Sequence, residues 1–361
     1  MNKYWLMIAL WCPMLVWSQR VAFINPGKSD ETYWVTASQS MQLAAESLNM
    51  DLEVRYAQRE HLRSFDIARE LIARPAASRP EYVIFSNDHA VSPELLRLFE
   101  PSGIKCFLAY SKPTLHERAQ TGGPRQKYKN WIGSLEPKAQ DAGYLTAKAL
   151  IGKGRSMKLH APDGRLHMVA IAGDRSTNSS ILRNAGMRQA VKEAGDVVLE
   201  QEVYGDWTRD KAAEQAQWLY ERYPLARLVW AGNDLMAFGA MQTLEQRHGV
   251  VGKTVLFSGV NTSDEALQDL RIGRLSALAG GHFITGAWAL VMIYDHHHGK
   301  DFANEGLELE LPMFALFTPA LADRFQQVFN SKTQKIDFRK YSKALNPRVQ
   351  RYAFGFEQLL K

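Results

Sequence analysis

The chain has 361 residues, 46% hydrophobic and 23% charged, with 44 Lys and Arg against 38 Asp and Glu, a formal charge of +6. A chain of this length can bury a sizeable core without disulfides and has room for two domains. The basic excess is small and scattered, with no tract that would follow a phosphate backbone, so nucleic acid is not expected as a partner.

The first residues carry the pattern of an export signal. Lys3 precedes the apolar run "YWLMIALWCPMLVW", and Ser18 stands at a segment suited to cleavage. The run is short against the ~20 apolar residues of a spanning helix, and Pro13 interrupts it. We expect residues 1–18 to be removed on export. Cys12 leaves with them, so Cys106, in "GIKCFLAY", is the one cysteine of the mature chain. It is expected to be a buried strand residue, with no intramolecular disulfide.

Short β-rich runs then alternate with helical patterns. "RVAFIN" leads to "TASQSMQLAAESLN", with Met41, Ala44, Ala45 and Leu48 at helical spacing; "LEVRYA" leads to "SFDIARELIA", and "EYVIFS" to "SPELLRLFE". The polar segment "HERAQTGGPRQKYKNW" reads as a crossover or surface loop. The alternation restarts with "HMVAIAG" before "SSILRNAGMRQAVKEAG", "VVLEQEVY" before "TRDKAAEQAQWLYERY", "ARLVWAG" before "DLMAFGAMQTLEQRH", and "TVLFSGVN" before "DEALQDLRIG". "RLSALAGG" and the helix "FITGAWALVMIYDHHHG" follow. Strand then helix, repeated, predicts an α/β fold with parallel sheets covered on both faces, here in two units. The tail after Pro319 lacks the alternation and is expected to lie across the outside, with a short helix near "RVQRYAFGFEQLL".

In open α/β sheets, ligands bind beyond the carboxyl ends of the strands. Those positions present Glu31, Tyr33 and Trp34, then Asn87 and Asp88, then Tyr110 and Ser111 in the first unit. The second unit presents Arg183, Asp206 and Trp207, Asn233 and Asp234, and Asn261. Flat rings take the apolar face of a sugar, while amide, carboxylate and guanidinium groups match its hydroxyls. Each residue alone has a second reading: the aromatics as core plugs, "DWTRDKA" and Asn233-Asp234 as helix caps, Arg183 as a solvated helix residue. Their joint occurrence in corresponding loops favours a ligand cleft.

These motifs carry a family resemblance over about 21–319. The aromatic pair before the first helix, "IAG" with Arg183 three residues before Gly186, "DW" before the next helix, "AGNDLMAFGA" and "SGVNTSDEAL" are similar to those of ribose-binding-type periplasmic proteins, the type I periplasmic binding proteins. The resemblance implies two Rossmann-like lobes joined by a three-segment hinge and closing on a ligand. It implies an N-terminal lobe of residues 19–112 and 280–305, a C-terminal lobe of 113–279 and 306–319, and an extension of 320–361. Tyr33 and Trp34 match a stacking pair, Trp207 the aromatic of the opposing lobe, and Asn87, Arg183, Asn233 and Asn261 polar ligand contacts. Glu31 stands where an amide is common, Asn87 and Asn261 where aspartate is frequent, and Gly281 where glutamine is usual, with His282 beside it. With fewer carboxylates near Arg183, the site is expected to suit a modified or acidic sugar, or a small diol, better than a simple neutral pentose.

The expected function is a sugar-binding receptor that presents its load to an ABC-transporter permease. A sensory co-receptor for a membrane sensor kinase is the alternative, to which the tail adds weight. A monomer without cofactor or metal is expected. An enzyme is disfavoured by the lack of G-x-G-x-x-G, G-x-S-x-G and P-loop patterns. The dyad Asp88-His89 reads as a helix cap, and "DHHHG" at 295–299 as a solvated helix end. In a repressor of the same fold, the export signal would stand where the DNA-binding helices belong.

Overall fold

The computed structural model describes residues 18–329 and 336–360; the expected signal segment and Cys12 lie outside them, apart from Ser18. The first half runs β1 (Gln19–Asn25), α1 (Thr32–Leu48), β2 (Met50–Tyr56), α2 (His61–Ala73), β3 (Tyr82–Phe85), α3 (Ser92–Phe99), β4 (Lys105–Ala109), the short α4 (Arg118–Thr121) and β5 (Trp131–Pro137). Next come α5 (Ala139–Ser156), β6 (Leu166–Ala172), α6 (Asn178–Ala194), β7 (Val197–Tyr204), α7 (Arg209–Arg222), β8 (Ala226–Ala231), α8 (Asp234–Gln246), β9 (Leu256–Val260), α9 (Asp264–Arg271) and β10 (Leu275–Gly280). The chain ends with α10 (Thr285–His297), β11 (Glu308–Leu311), β12 (Ala315–Leu316) and α11 (Pro319–Phe329), followed by short 3-10 turns.

Two six-stranded sheets result, ordered β11-β5-β4-β3-β1-β2 and β12-β10-β9-β8-β6-β7. Every pairing is parallel except β10 with β12. The inner strands are continuous apolar runs, buried throughout in β3 and β6, because helices cover both faces. Cys106 is free and buried in β4.

The chain crosses between sheets three times: after β5, after β10, and between β11 and β12. Two expected boundaries therefore move. Residues up to Pro137, assigned to the second unit from 113 onward, include β5 of the first sheet, paired with β4. Residues 308–311, also assigned to the second unit, pair with β5. The polar Ser134 and Glu136 obscured a buried strand; Glu136 is accommodated because Lys112 donates to it from its backbone N–H (2.7 Å) and its ammonium (2.8 Å). α10 packs on α1 and so lies with the first sheet.

The tail is held by a helix of its own and by apolar side chains turned inward. α11 docks on α9 through Arg271 to Asp323 (2.8 Å) and Gln326 to Asp264 (2.8 Å). Phe338, Tyr352, Phe354, Phe356, Leu359 and Leu360 are buried in the same apolar cluster as α1 and α10. Phe354 lies parallel to Trp288 at 4.7 Å. Asp295, read as part of a solvated helix end, is fully buried and accepts from Lys343 N–H (2.8 Å), Ala344 N–H (3.0 Å), Tyr352 Oη (2.8 Å) and the Ser342 hydroxyl. Of its neighbours, His298 is exposed, whereas His296 Nδ1 stands 3.2 Å from Tyr82 Oη.

Candidate ligand-binding site

One cavity opens where the strand ends of both sheets meet. Glu31, Tyr33, Trp34, Arg59, Asp88, Tyr110 and Pro137 line it from the first lobe, Thr177, Ser179, Arg183, Trp207, Asn233 and Asn261 from the second, and His282 from the second crossing. The centre of a water has about 60 Å³ to move in.

The first wall is set by Asn25 at the end of β1. Its Nδ2 donates to Trp34 O (3.2 Å) and Ser38 Oγ (2.9 Å), and its Oδ1 accepts from Gly27 N–H (2.9 Å), fixing the loop to α1. A Cβ on Gly27 would fall 2.0 Å from the Trp34 ring, so only glycine lets the indole lie against the loop. Tyr33 meets Trp34 edge-on at 4.9 Å, and Trp34 meets Tyr110 edge-on at 5.2 Å. Tyr110, in the left-handed region at φ +71, donates to Phe283 O (3.2 Å).

Beside the rings sits a charge cluster whose centre, Arg59, sequence reasoning missed. Arg59 pairs with Glu31 through both ends of its fork and lies 3.6 Å from Asp88. Glu31 is thus held by a guanidinium. Burial pushes the Asp88 carboxyl up against the pull of Arg59. Asn87, expected to contact ligand, does not line the cavity. Its Nδ2 donates to Glu117 (3.0 and 3.2 Å) and Lys112 O, and its Oδ1 accepts from Ser92 N–H (2.9 Å), so it knits the loop after β3 to the start of α3.

The second wall depends on a close helix pair. Cβ atoms on Gly143 and Gly186 would fall 1.8 and 2.0 Å from the backbones of α6 and α5, so these glycines let the helices touch and bring Arg183 to the cleft. Arg183 Nη1 donates to Gly232 O (2.7 Å) and Nη2 to His282 Nε2 (3.0 Å). Its guanidinium stands over Trp207 (5.4 Å) and Phe314 (5.6 Å). Among the described residues no carboxylate pairs with it, its Nε has no partner, and burial lowers its pKa to about 10. Trp207 lies flat against Gly173 and donates from Nε1 to Asp174 Oδ2 (2.6 Å). Burial would raise the Asp174 pKa, but bonds from Thr177, Trp207 and Ser176 outweigh it and hold the carboxylate below its usual range.

Asn233 does line the cavity, but as the cap of α8: Oδ1 accepts from Met236 N–H (2.8 Å) and Nδ2 donates to Trp207 O (3.1 Å). Asn261, at φ +109, donates to Asp234 Oδ1 (2.8 Å). Ser179 Oγ donates to Tyr110 O (3.3 Å) across the two walls. His282 stacks between Tyr33 (4.8 Å) and Phe314 (4.4 Å). Of the fourteen residues singled out in the sequence, ten thus share one cavity and Asn87, Ser111, Asp206 and Asp234 do not line it; Arg59, Pro137, Thr177 and Ser179 are additions.

A sequence model of the periplasmic binding protein domain matches residues 134–301. The D-allose-binding periplasmic protein of Escherichia coli (strain K12) is 30% identical over 160 residues, 43% of this chain and only half of that protein. A solved periplasmic sugar-binding protein from Pseudomonas fluorescens is 40% identical, with a TM-score of 0.84 over 95% of this chain and 100% of its own. The arabinose-transporter binding protein of Shewanella sp. ANA-3, at 17% identity and a TM-score of 0.69 over 85% of this chain and 94% of its own, shares the fold. With the two-sheet architecture, the triple crossing and full-length likeness to the Pseudomonas protein, the chain belongs to the type I periplasmic binding proteins of the ribose-binding type.

Proposed function

We propose that the protein is a periplasmic receptor that traps one small sugar or sugar-like molecule between its lobes, releases it unchanged, and presents it to an ABC-transporter permease. The observation that carries this reading is the single cavity between two aromatic walls, Tyr33 and Trp34 on one side and Trp207 on the other, with Arg183 between them. The rings offer apolar contact to a sugar face, and Glu31, Arg59, Asp88 and Arg183 line the same cavity with carboxylate and guanidinium groups that can match hydroxyls. The cavity suits a single ring better than a disaccharide. The likeness to the Pseudomonas sugar-binding protein supports the same class of ligand.

The sensory alternative drew its weight from the tail. The apolar side chains of that tail pack into the core cluster, a structural role that accounts for the tail without a sensor. The test is a thermal-shift screen of the chain from Gln19 against pentoses, hexoses, furanose-forming sugars, sugar acids and polyols. A ligand at 100 times its Kd adds about 2.7 kcal/mol of stability. No hit across the panel, or turnover of a hit by the purified protein, would refute the reading.

A further inference from the structure

The second crossing turns on one residue. β10 ends at Gly280 in the second sheet, and His282 already opens the 3-10 turn His282–Ile284, which packs against α1 and leads into α10. Between them Gly281 has φ +110, and a Cβ there would stand 2.7 Å from Met313 O and from the Phe356 side chain. Only glycine fits such a position. His282 therefore belongs with the first lobe, whereas Arg183, on α6, belongs with the second. Their bond, Arg183 Nη2 to His282 Nε2 at 3.0 Å, joins the lobes directly.

The geometry fixes how that bond is made. The imidazole is stacked between Tyr33 (interplanar angle 23°) and Phe314 (28°), so its plane and the direction of its acceptor are set by neighbours from α1 and from the third crossing. A guanidinium is donor only, so Nε2 accepts and the ring hydrogen sits on Nδ1. We propose that His282 is a positioning residue that latches Arg183 across the cleft and holds a fraction of the ligand-free protein closed, and that a proton on Nε2 releases the latch.

A proton on Nε2 removes the acceptor and places a second cation against Arg183. The groups facing His282 are Arg183 from α6, Tyr33 from α1 and the uncharged Phe314; burial first, then Arg183, holds the imidazole pKa well below its ordinary value. In the open form the ring meets water and takes up a proton more readily. Closing therefore expels a proton, and the closed fraction falls as pH drops through the open-form pKa, by at most tenfold per pH unit. The latch rests on the two-lobe clamp proposed above.

The test needs no ligand. Spin labels on Asp66→Cys in α2 and Glu214→Cys in α7, both exposed, report the distance between lobes by pulsed electron spin resonance. We expect a short-distance population at pH 8 that falls several-fold by pH 5. His282→Gln, which keeps an acceptor but does not titrate, should hold that population at both pH values, and His282→Leu should lack it at both. The latch is overturned by no short-distance population at either pH, by an equal one in His282→Leu, or by a His282→Gln profile that follows the wild type. A working latch in a protein that binds nothing in the sugar panel would refute the function reading alone, and sugar binding without the latch would refute the latch alone.

Discussion

Asp295→Ala tests whether the tail is part of the folded core. The carboxylate is fully buried in α10 and accepts four bonds from the tail: two backbone N–H groups, of Lys343 and Ala344, and two hydroxyls, of Ser342 and Tyr352. Hydrogen bonds to a charged group contribute about 1.5–3 kcal/mol each. The hydroxyls can rotate towards other acceptors, but the two amides cannot leave. Their loss sets a cost of about 3–6 kcal/mol, which water entering the vacated space reduces, so we expect about 3–5 kcal/mol. Urea denaturation followed by tryptophan fluorescence measures it, and an unchanged m-value keeps the comparison valid. Asp295→Asn, which keeps one acceptor oxygen, should fall between wild type and alanine. A loss below about 1 kcal/mol for Asp295→Ala would show that the tail contributes little to the fold.

Trp207→Ala should weaken binding of any hit from the sugar panel by about 1–3 kcal/mol, and titration calorimetry would read this as roughly a 5- to 150-fold rise in Kd. Asn87→Ala should do the opposite: it should lower stability by about 1–3 kcal/mol by leaving the Ser92 amide and the Glu117 carboxylate short of a partner, with Kd within about twofold. Arg59→Met should leave Glu31 and Asp88 facing each other without a cation. Binding of a neutral sugar should fall relative to wild type at pH 7, and that gap should narrow at pH 5, because burial already raises the Asp88 carboxyl and the loss of Arg59 raises it further; calorimetry on both proteins at both pH values checks it.

The sequence made the repeating strands and helices legible because buried parallel strands are continuous apolar runs and their helices keep a 3.6-residue period. It also made most of the cleft legible, since loops at the carboxyl ends of such strands converge whatever their details. The failures share a cause: they depend on partners distant in the chain. Asn87 looked like a ligand contact because nothing local reveals Glu117 and Ser92 as its partners. Arg59 was passed over because its role depends on left-handed backbone at Gln58 and Arg59, which brings the side chain to Glu31. β5 was hidden by Glu136, whose burial makes sense only beside Lys112. The tail did carry a signal that went unread. Tyr352, Phe354 and Phe356 alternate, and such spacing in an extended segment puts all three on one side.

Where the core is completed has a bearing on how the protein is made. Phe356, Leu359 and Leu360 are buried, and Arg324 Nε donates to Leu360 O at 2.6 Å. The apolar cluster begun by β1 and α1 therefore closes only once Phe356, Leu359 and Leu360, far along the chain from them, have docked. Until then Trp288 lacks the Phe338, Tyr341 and Phe354 rings that pack against it. An affinity tag fused after Lys361 would begin one residue beyond a buried leucine, where a tag ahead of Gln19 would leave that closure undisturbed.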